Sequence, residues 1–425
     1  MIGAGSHAGK AEPTPASIWI EKANDLGHKL RVLSAGAFGL IVSLAIQPSR
    51  AAPDPSAQFS GFLQSFQPEA ERAGITPELF SSVFAGMTPD PSVAALTRKQ
   101  PEFSKPIGAY LASQVTAARV AEARKQEARW HDVLETVEQR YGVPANIVVA
   151  VWGLESNFGA AGGNKDVVRS LATLASNHYR PDLMRAELLT ALTLMQKNEV
   201  SRDKLRGSWA GAMGQPQFMP SSFAKYAVDG DGDGQRDIWA SVPDVLASIA
   251  NFLHGQGYRA DLPWGAEVRL PASFDLRTSR GSFAEWASRG FTRADGKPLE
   301  GQGQAALFFP AGAAGPAFLV TDNFEVLKTY NFSDAYVLSI ATLADRMSGG
   351  AGVMASWPTT VSMSRENRVA LQARLAELGY PVDNREGRIS LNLRDTIRKA
   401  QADVGLTPDG EPTDVLLDRL KARSQ

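Results

Sequence analysis

The chain has 425 residues, 44% hydrophobic and 21% charged, with a formal net charge of -1. That is an ordinary globular composition with room for two or three domains, and its balanced charge argues against a chain organised around nucleic acid or an anionic membrane. It contains no cysteine, which excludes disulfides, thiolate metal sites, thiol nucleophiles and a lipid attached through an N-terminal cysteine.

Residues 1–52 read as a targeting segment. His28-Lys-Leu-Arg31 is basic, Val32 to Ile46 is apolar, and small residues near Ala51 or Ala52 offer a cleavage site. The apolar run suits a signal peptide better than a bilayer span, so the expectation is export and a periplasmic protein, soluble or weakly membrane-associated; a short membrane anchor is the alternative. Residues 53–142 carry proline-led helix starts at Pro68, Thr76-Pro77 and Thr88-Pro89, and one long helical pattern from Val115 to Gln139.

Pro144 then opens a helix that should end at Asn157 to Gly159. Ile147, Val148, Val151 and Trp152 stand at helical offsets from Glu155, which puts this carboxylate on or beside the apolar face. Burial would raise its pKa toward that of a working general acid. The alternative is a glutamate that tips into solvent at a helix end. The next acid, Asp166, lies beyond a glycine-rich loop. Helices are expected over Val167–Ala175 and Pro181–Lys197.

Gly207 to Phe223 combines Gly211 and Gly214 with Pro216 and Pro220. Between them sit the hydrogen-bonding Ser208, Gln215 and Gln217 and the apolar Trp209, Phe218 and Met219. The mixture suits a wall that binds sugars; a self-packed loop is the alternative. In the loop that follows, Asp229, Asp231, Asp233 and Gly234 match the first half of a calcium-binding loop. Ala240 stands where a bidentate glutamate belongs, and Asp244 is the residue that could close the site. The alternative is an acidic turn relieved by solvent and Arg236. A helix over Val242–Gln256 carries Phe252. Short strands at Glu267–Leu270, Ala305–Phe309 and Ala317–Val320, with a helix near Ser282–Ala287, predict a small inserted sheet. Phe324–Tyr330 is a helix or turn, and Tyr330-Asn-Phe-Ser-Asp-Ala-Tyr336 opens a helix to about Met347. Residues 351–363 read as a linker, and 364–425 as a compact module with helices over Arg365–Leu378, Asn392–Val404 and Thr413–Lys421.

Trp152-Gly-Leu-Glu-Ser-Asn-Phe-Gly159, the Gly207–Phe223 stretch, the Asp229 loop and Tyr330–Tyr336, in that order, resemble the B family of lytic murein transglycosylases. The last 60 or so residues resemble a peptidoglycan-binding module through Leu371-Gln-Ala-Arg-Leu, Leu378-Gly-Tyr380 and Gly405-Leu-Thr-Pro-Asp-Gly410, with Ala400 where an aromatic is usual. The resemblance implies a mainly α protein: a lysozyme-like catalytic domain over 53–350 with a small β insertion, and a separate three-helix module. It implies cleavage of the MurNAc–GlcNAc β-1,4 bond with formation of 1,6-anhydro-MurNAc ends. Glu155 falls on the family's single acid/base, and Ser208, Gln217, Tyr330, Asn331 and Tyr336 on its sugar groove, with Tyr110, Phe218 and Phe252 beside them. Asp229, Asp231, Asp233, the Gln235 carbonyl and Asp244 fall on its calcium loop. No cofactor is expected for the chemistry beyond a structural Ca2+. The expected partners are peptidoglycan glycan strands and a cell-wall synthesis complex, not nucleic acid, with the chain itself a monomer. A muramidase that uses water instead, or a non-catalytic wall-binding protein, are the alternative readings.

Overall fold

The computed structural model describes residues 54–96 and 105–423, so the targeting segment expected over 1–52 lies outside the described residues. The architecture is mainly α-helical, and its centre is the Ala145–Ser156 helix. Every residue of that helix from Ile147 to Ser156 is buried. One apolar face was expected. The helix is instead enclosed on all sides, by the Ala117–Arg129, His131–Tyr141, Val242–Gly255 and Asp334–Met347 helices. The sequence Ile-Val-Val-Ala-Val-Trp-Gly-Leu permits this because no polar side chain interrupts it.

The long helix expected from Val115 to Gln139 is two helices, Ala117–Arg129 and His131–Tyr141. They part at Trp130, where ψ turns to 22° and the indole packs against the core. Tertiary packing thus overrides an unbroken helical composition. Asp166, the acid following Glu155, caps the N-terminus of the Val167–Ser176 helix and pairs with Arg202. The helix expected to begin within Tyr330–Tyr336 starts at Asp334, and Asn331 to Ser333 form the corner between it and the Asp322–Tyr330 helix.

The inserted sheet is antiparallel, with Arg280–Ser282, Gln304–Phe308, Ala317–Val320, Gly265–Arg269 and Thr292–Arg293 in spatial order. Arg280–Ser282 and Thr292–Arg293 are too short to announce themselves in sequence. Leu307 pairs with Leu319 and Phe308 with Phe318. Because side chains alternate across a strand, Phe308 and Phe318 join the main core, while Leu307 and Leu319 join a second core around Phe283, Trp286 and Phe291. The sheet is therefore buried on both faces and fixed to the helical body.

Leu371, Leu375, Leu393, Ile397, Leu416 and Leu420 form the core of the C-terminal module. Ser364, Ser390 and Thr413 cap its helices Arg365–Glu377, Leu391–Asp403 and Asp414–Ala422. Composition gave the preceding stretch the look of a loose tether, but the chain there is strapped down. The Glu267 carboxylate accepts the N–H groups of Met354 at 2.7 Å and Ala355 at 2.8 Å. Trp357 lies so close over Gly108 that a Cβ there would meet the indole at 2.4 Å. Leu391 of the module is buried in the main core.

Candidate active site

Glu155 sits in the last turn of its helix, and the backbone beyond it is constrained. Asn157, Phe158 and Gly159 all adopt positive φ, at 50°, 58° and 87°. Two of these are not glycine, so the turn is held by what surrounds it. Phe158 folds back edge-on to Trp152, with ring centroids 5.5 Å apart. It takes the space a side chain at position 153 would need: a Cβ on Gly153 would meet the Phe158 ring at 2.6 Å. Trp152 donates its indole N–H to Gln215 Oε1 at 2.8 Å, and Gln215 donates in turn to Trp239 O at 3.0 Å. Gln215 was expected to face sugar. Its side chain instead ties the glycine-rich stretch to the Glu155 helix.

Glu155 is 1% exposed. Its Oε1 accepts the Tyr336 O–H, and its Oε2 has no hydrogen-bond partner in the protein. Burial pushes the carboxyl up to about 8, against a smaller opposing effect of the Tyr336 hydroxyl. No cation and no second carboxylate is among the groups that set this shift. Burial and the Glu155 charge hold the Tyr330 and Tyr336 phenols well above their ordinary range, so both stay protonated. Tyr336 is also influenced by Tyr110, which places that residue near the same centre. A neutral carboxylic acid with a fixed orientation and one free oxygen can donate a proton at neutral pH.

Around this acid the structure gathers part of the expected groove. Tyr330 donates to Pro216 O at 2.7 Å and packs against Phe252 and Phe218, with centroids 4.8 and 6.1 Å away. Gln217 occupies a left-handed backbone position with φ 53° and donates to Gly162 O and Gly214 O at 2.9 and 2.7 Å. Its buried Oε1 has no partner. Asn331 accepts the Ser333 N–H at 3.1 Å through Oδ1, and its buried Nδ2 has no partner. Gln217, Phe218, Tyr226, Phe252 and Tyr330 line a cleft of about 300 Å³. Tyr110 borders a separate cleft of about 80 Å³, between the Ile107–Gln114 helix and the C-terminal module. Ser208 accepts the Ala212 N–H at 3.1 Å and so closes its own turn.

Sequence reading missed Glu187. It stands on an apolar helix face at the same kind of spacing that singles out Glu155, and burial raises its pKa as well. Its two oxygens accept from the Ser221 N–H at 2.9 Å and the Ser221 O–H at 2.7 Å. Glu187 therefore anchors the end of the Gly207–Phe223 wall and has no oxygen left for a reacting atom.

In the acidic loop, carboxylate oxygens of Asp229, Asp231 and Asp244 lie within 4.8 Å of one another. Asp233 is outside this group, and its carboxylate accepts the Gln235 N–H at 2.7 Å. Arg236, a candidate to relieve the acidic charge, pairs with Glu199 instead. Burial raises the Asp244 pKa, and the Asp231 charge adds to it. Converging carboxylates whose nearby arginine is engaged elsewhere fit a hard cation.

Residues 58–345 match the Transglycosylase SLT domain family, and residues 364–420 match a peptidoglycan binding domain family. The chain belongs to the lytic transglycosylase family. This lytic transglycosylase is 44% identical to SltB3 from Pseudomonas aeruginosa, solved in complex with NAG-anhNAM-pentapeptide; the match covers 86% of this chain and 99% of that one, with a TM-score of 0.74. It is 25% identical to the Escherichia coli lytic transglycosylase Slt35, solved in complex with calcium, over 69% of this chain and 93% of the other, with a TM-score of 0.56. Membrane-bound lytic murein transglycosylase B of Escherichia coli (strain K12) is 33% identical over 219 residues, half of this chain, and the match spans 59% of that relative's length.

Proposed function

We propose that this lytic transglycosylase cleaves the MurNAc–GlcNAc β-1,4 bond of peptidoglycan and leaves 1,6-anhydro-MurNAc ends, with Glu155 as both acid and base. The observation that carries this reading is the state of Glu155: buried, neutral near pH 7, held by Tyr336 through one oxygen and free at the other. Gln217 Oε1, on the wall of the cleft, and Asn331 Nδ2, one residue beyond Tyr330 of that wall, are polar and unpartnered and suit sugar hydroxyls and acetamides.

In the proposed reaction Glu155 gives its proton to the glycosidic oxygen as the bond from C1 to that oxygen breaks. The acetamido oxygen of the MurNAc bonds to C1 and carries the positive charge as an oxazolinium. Glu155, now a carboxylate made unstable by its apolar setting, takes the proton of the same sugar's C6 hydroxyl. O6 bonds to C1 as the acetamido oxygen leaves, and Glu155 is again neutral. No water is consumed, and attack within one ring gains the high effective molarity of an intramolecular step. The Tyr336 O–H supports the carboxylate stage of the cycle.

A calcium ion would be held by Asp229, Asp231 and Asp244, where it would supply fixed positive charge and pin the loop ahead of the helix bearing Phe252. The C-terminal module would hold glycan strands. Among the described residues no helix is long and apolar enough to cross a membrane. Export by the segment over 1–52, a periplasmic location, association with a wall-synthesis complex and a monomeric state complete the proposal.

The test is mass spectrometry of peptidoglycan digested by wild type and by Glu155→Gln. Anhydro ends, one water lighter than reducing ends, should appear with wild type only. Reducing MurNAc ends from wild type would replace the reading with that of a muramidase, and lysis by Glu155→Gln would remove Glu155 from the chemistry.

A further inference from the structure

The C-terminal module touches the segment that carries the active-site residues, and it does so through buried charge. Arg394 of the module is 2% exposed. Its Nη2 lies 2.7 Å from Asp334 Oδ2, and its Nη1 lies 2.7 Å from Glu411 Oε2 and donates to Gly410 O at 3.1 Å. Lys328, also buried, lies 2.9 Å from the other Asp334 oxygen and donates to Ile389 O of the module at 2.6 Å. Arg388 stacks its guanidinium 4.1 Å from the centre of the Phe332 ring. Lys328, Phe332 and Asp334 thus alternate along the chain with Tyr330, Asn331 and Tyr336.

The geometry couples these two sets. Asp334 opens the helix whose first turn presents Tyr336 to Glu155, and Ser333 joins them: its N–H donates to Asn331 Oδ1, and its Oγ accepts the Tyr336 N–H at 3.4 Å. The strap before the module packs on the Ile107–Gln114 helix, where Trp357 fills the space over Gly108, two residues from Tyr110. A module used only as a wall anchor would need a tether and no such joint.

We propose that the C-terminal module is a structural part of the active centre: through Arg394 it positions the 328–336 segment and hence the Tyr336 hydroxyl on Glu155. Arg394 is a positioning residue in this account, since it acts through Asp334 and touches neither Glu155 nor the groove. The proposal rests on Glu155 being the acid, as inferred above. The charge on Asp334 is secure, because Lys328 and Arg394 outweigh its burial and hold it at about 2. Glu155 is faced by the Tyr336 and Tyr330 hydroxyls, and Tyr336 by Tyr110. A displaced Tyr336 therefore withdraws the hydrogen bond that opposes the effect of burial on Glu155.

The experiment uses the full chain and a soluble GlcNAc–MurNAc tetrasaccharide, too short to need a wall anchor. Arg394→Met should lower kcat by about fivefold or less, no more than Tyr336→Phe does, with a smaller change in KM, and should move the alkaline limb of the pH–kcat profile upward. Arg394→Lys should recover part of both. If Arg394→Met does not fold, Glu411→Gln, which frees the outer half of the guanidinium, carries the same readouts with smaller shifts. A folded variant with an unmoved alkaline limb, even one with a lower Tm, would overturn the proposal and leave the joint a matter of stability. Glu155→Gln assayed in parallel keeps the two readings apart: if it turns over the tetrasaccharide, the assignment of Glu155 fails whatever Arg394 does.

Discussion

Glu155 is buried and Asp334 largely so, both carboxylates touch the same helix, and they stand at opposite ends of the ionisation scale. Glu155 meets a neutral phenol and is pushed up to about 8; Asp334 meets Lys328 and Arg394 and is held at about 2. Both lose hydration, so burial does not separate them. The difference lies in the partner. A cation on each side makes Asp334 a permanent anion that fixes structure, while a hydroxyl on one side leaves Glu155 a neutral acid. Glu187 extends the lesson: it is buried and raised like Glu155, but Ser221 occupies both its oxygens.

The comparison can be broken most severely at Asp334. Asp334→Asn leaves Lys328 and Arg394 buried without their shared anion and should cost about 3–5 kcal/mol in denaturant unfolding. Its pH dependence has a definite sign. The folded-state pKa lies below the ordinary 3.8, so the stability it contributes is present above about pH 4 and is lost as pH falls toward 2.

Glu155 behaves in the opposite sense. Its folded-state pKa lies above the ordinary 4.5, so its contribution is full below that pH and is lost as pH rises through about 8. Glu155→Gln should therefore stabilise the protein by about 3 kcal/mol at pH 7 and by little at pH 4, as unfolding curves at the two pH values would show. A gain at pH 4 as large as at pH 7 would mean that charge burial is not the cause.

Gly108→Ala probes the strap. A Cβ 2.4 Å from the Trp357 indole should cost about 1–3 kcal/mol, measurable as a lower Tm. An unchanged Tm would show that the strap is loose, as composition alone suggested. The smallest effect is expected from Tyr336→Phe, which removes one hydrogen bond to Glu155 and should move the alkaline limb of activity upward by the equivalent of about 1 kcal/mol.

Much of the candidate site was legible in the sequence because its signals are local. The helical offsets before Glu155, the left-handed stop at Asn157 and the Gly207–Phe223 composition each act within a few residues. The small sheet showed in its short apolar strands set between Gly and Pro, apart from the two shortest. What was not legible depends on partners far along the chain. Trp130 breaks a helix because of what its indole packs against, and Gln215 turns inward because Trp152 and Trp239 are there. Arg394 finds Asp334 sixty residues away, and Glu267 straps down a segment 87 residues ahead. Asp233 fits the spacing of a cation loop, yet its carboxylate lies outside the group that Asp229, Asp231 and Asp244 form. Spacing can nominate a buried acid, as it does for Glu155 and would for Glu187, but it does not say whether both oxygens are already occupied.

The most direct test is the ionisation of Glu155 itself, followed by NMR of the side-chain carboxyl carbon in protein labelled at glutamate, with Glu155→Gln to assign the signal. The account predicts a titration near pH 8, well apart from the exposed glutamates. A midpoint near 4.5 would contradict it, because a glutamate already ionised at neutral pH has no proton to give to the glycosidic oxygen.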